Sequence, residues 1–324
     1  MTNTDNMKIY RLFTLLALAV LVSCSDKEPV PPVVEDPEED VEDVTPEEPE
    51  EPVNPADTLQ KYADDEIKIM SFNVRLATTE TNPANEWPNR KEACLEMIMD
   101  HFPTLIGLQE AKFSNQWLYF KSNLKEFYGA FGVNRDTGYE SGTGETMGIL
   151  YNLNQVELIT SGTFWLSETP DKLSKSWESA CYRTATWGLF KHKKTGKEFC
   201  YINTHLDHKS KDAQINGAKV IDERFALYNP DGNLQILTGD FNVTPGAAAL
   251  DVFEDDMVNT RVVARKTDSH TTFNGWTTDK HSIIDHIFVT KGTQVLEYHT
   301  VSEQYGICQF ISDHYPIVSL IKIK

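Results

Sequence analysis

The 324-residue sequence predicts an α+β fold of stacked sheets covered by helices. Two observations carry that prediction. Apolar, β-prone runs of strand length recur from Ile67 to Ile323, with only a few segments of helical spacing between them. No low-complexity break interrupts Asp64 to Lys324, a length that one large domain fits.

Taken in order, Ile67 to Val74 alternates in the strand manner. Arg90 to Met99 has helical spacing, with Ala93, Leu95 and Ile98 inward, and Pro103 closes it. Thr104 to Leu108 reads as a buried strand that delivers Glu110, and Ser114 as the N-cap of a helix through Leu124. Strands are expected at Met147–Tyr151, Val156–Leu166, Arg183–Lys191 and Glu198–Thr204, the last two joined by a turn at Lys194-Thr195-Gly196. Lys211 to Tyr228 places Ile215, Ala218, Ile221 and Phe225 on one helical face. Leu234–Thr238, Ile283–Thr290 and Pro316–Ile323 complete the strands.

The first 62 residues read differently. Lys8 and Arg11 precede an apolar stretch from Leu12 to Val22, too short to span a bilayer, and Leu21-Val22-Ser23-Cys24 resembles a bacterial lipobox. Residues 1–23 are therefore expected to be a lipoprotein signal peptide and Cys24 the lipidated residue, which would anchor the chain in a membrane. Residues 24–62 are expected to form a disordered tether. Asp26 to Asp57 holds 14 acids against the single base Lys27, and eight of the 15 prolines. The acids after Cys24 also resemble a surface-export signal of some Gram-negative bacteria, so an outer-membrane or cell-surface lipoprotein outside the cytoplasm is expected. Residues 63–324 would be the catalytic domain.

Removing the net −13 of residues 26–57 and the leader's +1 from the total of −19 leaves −7 for residues 58–324. A mildly acidic domain with no Lys/Arg-dense stripe is not expected to bind nucleic acid strongly and non-specifically. A monomer is expected. Cys94, Cys181, Cys200 and Cys308 match no zinc spacing, and buried free thiols fit their apolar contexts better than disulfides.

Four motifs carry the chemistry: Leu108-Gln109-Glu110, Asn203-Thr204-His205, Gly239-Asp240-Phe241-Asn242 and Ser312-Asp313-His314. Each is expected at the C-terminal end of a β-prone run, so all four could open into one cleft. Such a cleft would combine two imidazoles, three carboxylates and a carboxamide. That set suits a hard divalent cation plus a general base, and phosphoester hydrolysis above other common chemistries.

Together with Met70-Ser71-Phe72-Asn73, Thr204-His205-Leu206-Asp207-His208 and Ile284-Asp285-His286-Ile287, these motifs resemble the endonuclease/exonuclease/phosphatase superfamily, over essentially the whole folded part. The resemblance implies a four-layer α/β/β/α sandwich, with two mixed sheets face to face and flanked by helices, and a site at one end of the sheets. It implies Mg²⁺ as cofactor, with Mn²⁺ as a substitute, held by Glu110 and Asp313 with Asn73 beside it. Asp240 would hold or deprotonate the attacking water and Asn242 would donate to a phosphate oxygen. Extended backbone would project those two side chains to one side, while an Asx-turn is the plain alternative. His205 and His314 would meet the phosphate, oriented by Glu145 and Asp285 respectively. Arg183 would clamp a phosphate oxygen, unless it makes only a surface salt bridge. His208 has no assigned role, and packing suits His286 as well as chemistry does.

The expected activity is that of a lipid-anchored, Mg²⁺-dependent phosphoesterase acting on a phosphate-ester substrate, monoester or diester. A surface nuclease is the alternative within enzymes, and a non-catalytic binding module that reuses the fold is the alternative outside them. Phe164, Trp165 and Trp177 lie near the expected cleft, where packing is their default role.

Overall fold

The computed structural model describes residues 58–279 and 281–323, all within one compact unit, Pro52–Lys324. The expected signal peptide, Cys24 and most of the expected tether lie outside the described residues. Tyr62, placed by the sequence at the tether's end, is tied down: its hydroxyl donates to Phe102 O (3.0 Å) and Gln155 Oε1 (2.9 Å).

The strands run in chain order as β1 (Glu66–Asn73), β2 (Leu105–Gln109), β3 (Ala111–Lys112), β4 (Tyr128–Phe131), β5 (Glu145–Thr146), β6 (Ile149–Asn152) and β7 (Val156–Trp165). They continue with β8 (Thr184–His192), β9 (Glu198–His205), β10 (Leu234–Asp240), β11 (Met257–Asn259), β12 (Asp285–Thr290), β13 (Val295–Thr300) and β14 (Ile317–Lys322). The helices are α1 (Trp87–His101), α2 (Leu118–Asn123), α3 (Lys211–Tyr228), α4 (Ala248–Asp251) and α5 (Thr260–Val263).

Two six-stranded sheets have the orders β13-β14-β1-β2-β6-β4 and β11-β12-β10-β9-β8-β7. Each is antiparallel except for one central parallel pair, β1/β2 in the first and β9/β10 in the second. The period-two alternation read in β1 assigns its two faces. Ile67 and Ile69 pack with Leu105, Phe199, Tyr201, Ile236 and Ile287 between the sheets, while Met70 and Phe72 pack outward with Cys94, Met97 and Ile98 of α1. On the second sheet, Cys200, Ile202 and Leu237 meet Ala218, Ile221 and Phe225 of α3. The result is the four-layer α/β/β/α sandwich.

Helix α3 begins and ends where the sequence places it, capped by Ser210, whose Oγ accepts from Ala213 N. Ser114 caps nothing. It lies inside a π-helical turn, Phe113–Trp117, that leads into α2. Strands β4, β11 and β13 are too short or too mixed in pattern to be seen in sequence. All four described cysteines are free.

Candidate active site

The C-terminal ends of β1, β2, β9 and β10 meet at one end of the sandwich and carry Asn73, Glu110, His205 and Asp240. Strands β12 and β14 run antiparallel to β10 and β1, so their beginnings reach the same end. They bring Asp285, the first residue of β12, and Asp313-His314, just before β14. The Ser312-Asp313-His314 motif thus precedes its strand; strand direction, not position after a run, puts it in the site.

Asp240 stands at the centre. Its Oδ2 accepts from Asn73 Nδ2 across the sheets (3.0 Å), and it lies 3.4 Å from His205 Nε2 and 3.7 Å from His314 Nε2. Asn73 Nδ2 also reaches Glu110 Oε1 (3.2 Å), and His314 Nδ1 lies 2.9 Å from Asp285 Oδ2. Asn242 Nδ2 donates to His205 Nε2 (2.9 Å), which makes that nitrogen the unprotonated one.

The two histidines are driven apart in charge. Burial, together with the nearby Arg183 and Arg135 cations, holds His205 well below the ordinary imidazole value. Burial also opposes charge on His314, but Asp285 and Asp240 outweigh it and push its pKa up to about 10. His205 is therefore neutral and His314 cationic, where the sequence had allowed either for both. Burial raises Asp240 to about 7 against the pull of His314. Burial would likewise raise Glu110, yet the Leu76 N–H, the His314 charge and Asn73 bring it below the ordinary carboxylate value.

Two side chains reach the site through backbone that alternation does not foresee. Gln109 faces the other sheet, so in a regular strand Glu110 would face the helices. A left-handed backbone at Glu110 (φ 59°) turns it back, and Leu76 N donates to its Oε2 (2.8 Å). Asn242 is also left-handed (φ 53°), and its N–H donates to Asp240 Oδ1 (2.8 Å). That is an Asx-turn, which corrects the extended reading: turn and site are one structure here.

The donor set suits a divalent cation. Ligand atoms of Glu110, His205 and Asp240 lie within 4.8 Å of one another, as do those of Asp240, Asp285 and His314. Buried carboxylates crowded in this way are the environment a hard cation offsets. Asp313 belongs to neither group; it lies 3.5 Å from Arg75 Nη1.

Glu145 is the clearest departure. Its carboxylate takes Arg135 Nη1 (2.7 Å) and Nη2 (2.5 Å), and His205 Nδ1 is buried without a hydrogen-bond partner among the described residues. The bidentate guanidinium outcompetes an imidazole that burial keeps neutral. Arg183 is buried and not on the surface: Nε lies 3.5 Å from Asp207 Oδ2, Nη2 lies 2.8 Å from His208 Nδ1, and Nη1 has no such partner. His208 thus stands beside Arg183 at the rim. His286 faces the helix layer, against the Phe241 ring and Val243 O, and is a packing residue.

A cavity of about 310 Å³ opens over Glu110, His205, Asn242 and Arg183. An opening of about 350 Å³ at the opposite end, between Lys197 and Lys291, has no histidine in its lining.

Residues 70–314 match the model of the Endonuclease/Exonuclease/phosphatase family. The chain belongs to that family. Its members are hydrolases of phosphate esters. Among solved structures, an endonuclease/exonuclease/phosphatase family protein of Bacteroides thetaiotaomicron is 30% identical, with a TM-score of 0.74 over 80% of this chain and 98% of its own. A mannosyl-6-phosphatase of the same organism is also 30% identical, with a TM-score of 0.74 over 79% of this chain and 100% of its own. The catalytic domain of human Nocturnin with bound sulfate shares the fold at 16% identity, with a TM-score of 0.63 over 80% of this chain and 94% of its own. No curated protein sequence matches the chain.

Sequence reasoning passed over two arginines of this family member. Arg135 sits in a glycine-rich loop with no pattern to mark it. Arg90 carried a signal: it shares the inward helical face of Ala93, Cys94 and Met97, where a cation must find partners. It donates to Val74 O (2.6 Å), Arg75 O (2.7 Å), Asn85 O (2.7 Å) and Ile311 O (2.8 Å), tying α1 to the segments that follow β1 and precede β14.

Proposed function

We propose that the chain is a divalent-cation-dependent phosphoesterase that acts by attack of water on a phosphate ester. The observation that carries this is the convergence of Glu110, Asp240, Asn242, neutral His205 and cationic His314 at one sheet end. Glu110 would hold the ion, with Asp240 opposite it and Asn73 between them. The cation, Mg²⁺ or Mn²⁺, would supply Lewis-acid polarisation of the phosphoryl oxygen.

The chain's own groups account for the rest. Asp240, 3.4 Å from His205 Nε2 and 3.7 Å from His314 Nε2, would take the proton of the attacking water. His314, held charged by Asp285, presents Nε2 toward the same point and stabilises negative charge as it grows. Arg183, whose Nη1 has no hydrogen-bond partner among the described residues, would donate to the phosphate oxygens, while Asn242 Nδ2 is held by His205 Nε2 (2.9 Å) and Leu206 O (3.1 Å). The mannosyl-6-phosphatase relative favours a monoester. The net −7 of the folded part weighs against bulk nucleic acid as substrate.

The lipobox-like Leu21-Val22-Ser23-Cys24 and the acidic stretch behind it support a membrane anchor through lipid on Cys24, and display outside the cytoplasm. Radiolabelled fatty acid should enter the wild type and not Cys24→Ser. The activity is tested by a metal-supplemented panel of p-nitrophenyl phosphate, bis-p-nitrophenyl phosphate, sugar phosphates, RNA and DNA. Hydrolysis that EDTA abolishes and Mg²⁺ or Mn²⁺ restores is expected. A blank panel with metal shown to bind would replace the enzyme by a binding module, and cleavage of nucleic acid alone would make it a nuclease.

A further inference from the structure

Beyond the groups needed for hydrolysis, the cavity wall holds a buried ion pair. Arg135 and Glu145 are 9% and 13% exposed in their side chains, yet both line the cavity beside His205 and Arg183. They are the two ends of one loop, closed by the Arg135 N–H to Glu145 O bond (2.9 Å) and by the Asn134–Thr146 bridge. Inside the loop, Asn134 Nδ2 donates to Ser141 O (2.8 Å). A Cβ at Gly144 would lie 2.2 Å from both Asn134 Oδ1 and Asp136 Oδ2. Trp165 Nε1 donates to Arg135 O (2.9 Å), which fixes the guanidinium end from the neighbouring sheet. The pair is thus held before any ligand arrives.

A buried ion pair is weak evidence for stability, because desolvation offsets most of its attraction. Nor does this one orient a reacting histidine, since Glu145 makes no bond to His205. Its end-on geometry spends one N–H of each terminal nitrogen and one lone pair of each oxygen. The second N–H of each terminal nitrogen remains, along with further lone pairs on Glu145, while Nε is enclosed and faces Asp136 Oδ1 at 3.8 Å. Donors and acceptors side by side match vicinal hydroxyls, each of which both donates and accepts. A second observation is independent of the pair. No Phe, Tyr or Trp is among the cavity's lining residues, so among the described residues it has none of the large aromatic platforms on which successive bases of a strand stack. A cavity of about 310 Å³ also accommodates a leaving group of monosaccharide size.

We infer that Arg135 and Glu145 are the specificity-determining pair of this site, reading adjacent hydroxyls on the leaving group of a sugar or polyol phosphate. The inference rests on the phosphoesterase reading and names its substrate class. It moves Glu145 from orienting His205 to substrate recognition.

The test compares a hexose 6-phosphate with p-nitrophenyl phosphate, which carries the same phosphate without hydroxyls. Wild type, Glu145→Gln, Arg135→Met and the milder Arg135→Lys are assayed with saturating Mg²⁺. Wild type should favour the hexose phosphate, and each variant should lower the ratio of the two kcat/KM values by about tenfold or more, chiefly through KM. Equal losses on both substrates would return Glu145 to His205 and overturn the inference, as would equal losses with a lowered Tm, which mark a structural role. A wild type that cleaves p-nitrophenyl phosphate without preferring the hexose phosphate overturns this inference alone. A wild type that cleaves neither overturns this inference, and one that also cleaves no other ester of the metal-supplemented panel overturns the phosphoesterase reading as well.

Discussion

Gly107→Ala should be among the most damaging single-methyl additions in the domain. Gly107 lies in β2 and faces the second sheet one layer below the site. A Cβ there would lie 2.4 Å from Asn203 Oδ1, 2.4 Å from Thr238 Oγ1 and 2.5 Å from Tyr201 OH. None of those atoms is free to retreat. Asn203 Oδ1 accepts from Gln109 Nε2 (2.7 Å) and Thr238 Oγ1 (3.1 Å), Tyr201 OH is 2.8 Å from Thr238 Oγ1, and all four residues are fully buried. Seating the methyl requires a shift of about 1 Å, since carbon–oxygen contacts begin near 3.4 Å. Overpacking of this kind costs roughly 1–3 kcal/mol, and a buried polar group left unpaired costs about 1–3 kcal/mol more. A total of roughly 2–6 kcal/mol corresponds to a Tm drop on the order of 10 °C for a domain of this size. Differential scanning calorimetry of the wild type and the variant reads it directly. Ser71, Asn203 and Thr238 stand two residues before Asn73, His205 and Asp240, so kcat should fall along with Tm. A drop below about 2 °C would show that the sheets part at little cost, and the argument from the polar layer would fail.

Three further outcomes follow from the same geometry. Asp240→Asn keeps the shape but removes the proton acceptor, so kcat should fall by about 10²–10⁴-fold with Tm nearly unchanged; a large loss of stability with modest loss of rate would make Asp240 a core residue. Arg90→Lys leaves at most three donors at one point for four carbonyls, at a cost of roughly 2–4 kcal/mol in urea unfolding; a neutral result would show that water replaces the guanidinium. For His314 the folded pKa is raised to about 10, above the unfolded value of about 6.5, so its stabilisation is full below pH 6.5 and is lost as pH rises toward 10. Accordingly, His314→Gln should destabilise the metal-free protein more at pH 6 than at pH 9.5, and an equal effect at both would contradict a charged His314.

Much of this site could be read from the chain, because its residues sit at the ends of elements with strong local patterns. The alternation of Ile67 to Asn73 assigns both faces of β1, and Ser210 with the apolar face of α3 sets that helix to the residue. Short range also explains the misses. Ser114 looks like a cap because capping is judged over four residues, whereas Gln116, inside the same turn, has its Oε1 drawn to Ala77 N (2.8 Å) from a segment 39 residues away. The family resemblance alone pairs Glu145 with His205. The sequence has no term for Arg135 arriving from the same loop with a geometry the imidazole cannot match.

By itself the sequence determined the run of strands and few helices in one domain and the acidic, proline-rich character of residues 26–57, since composition and period are local properties, while the four-layer class and the candidate side chains came from the motifs and the family they resemble. The tertiary structure decided their states: the inward turn of Glu110, the opposite charges of His205 and His314, and the partner of Glu145. Each of these depends on burial and on charges brought from distant strands. Electrostatic energy in a dry interior is set by distance in space, which separation along the chain does not encode.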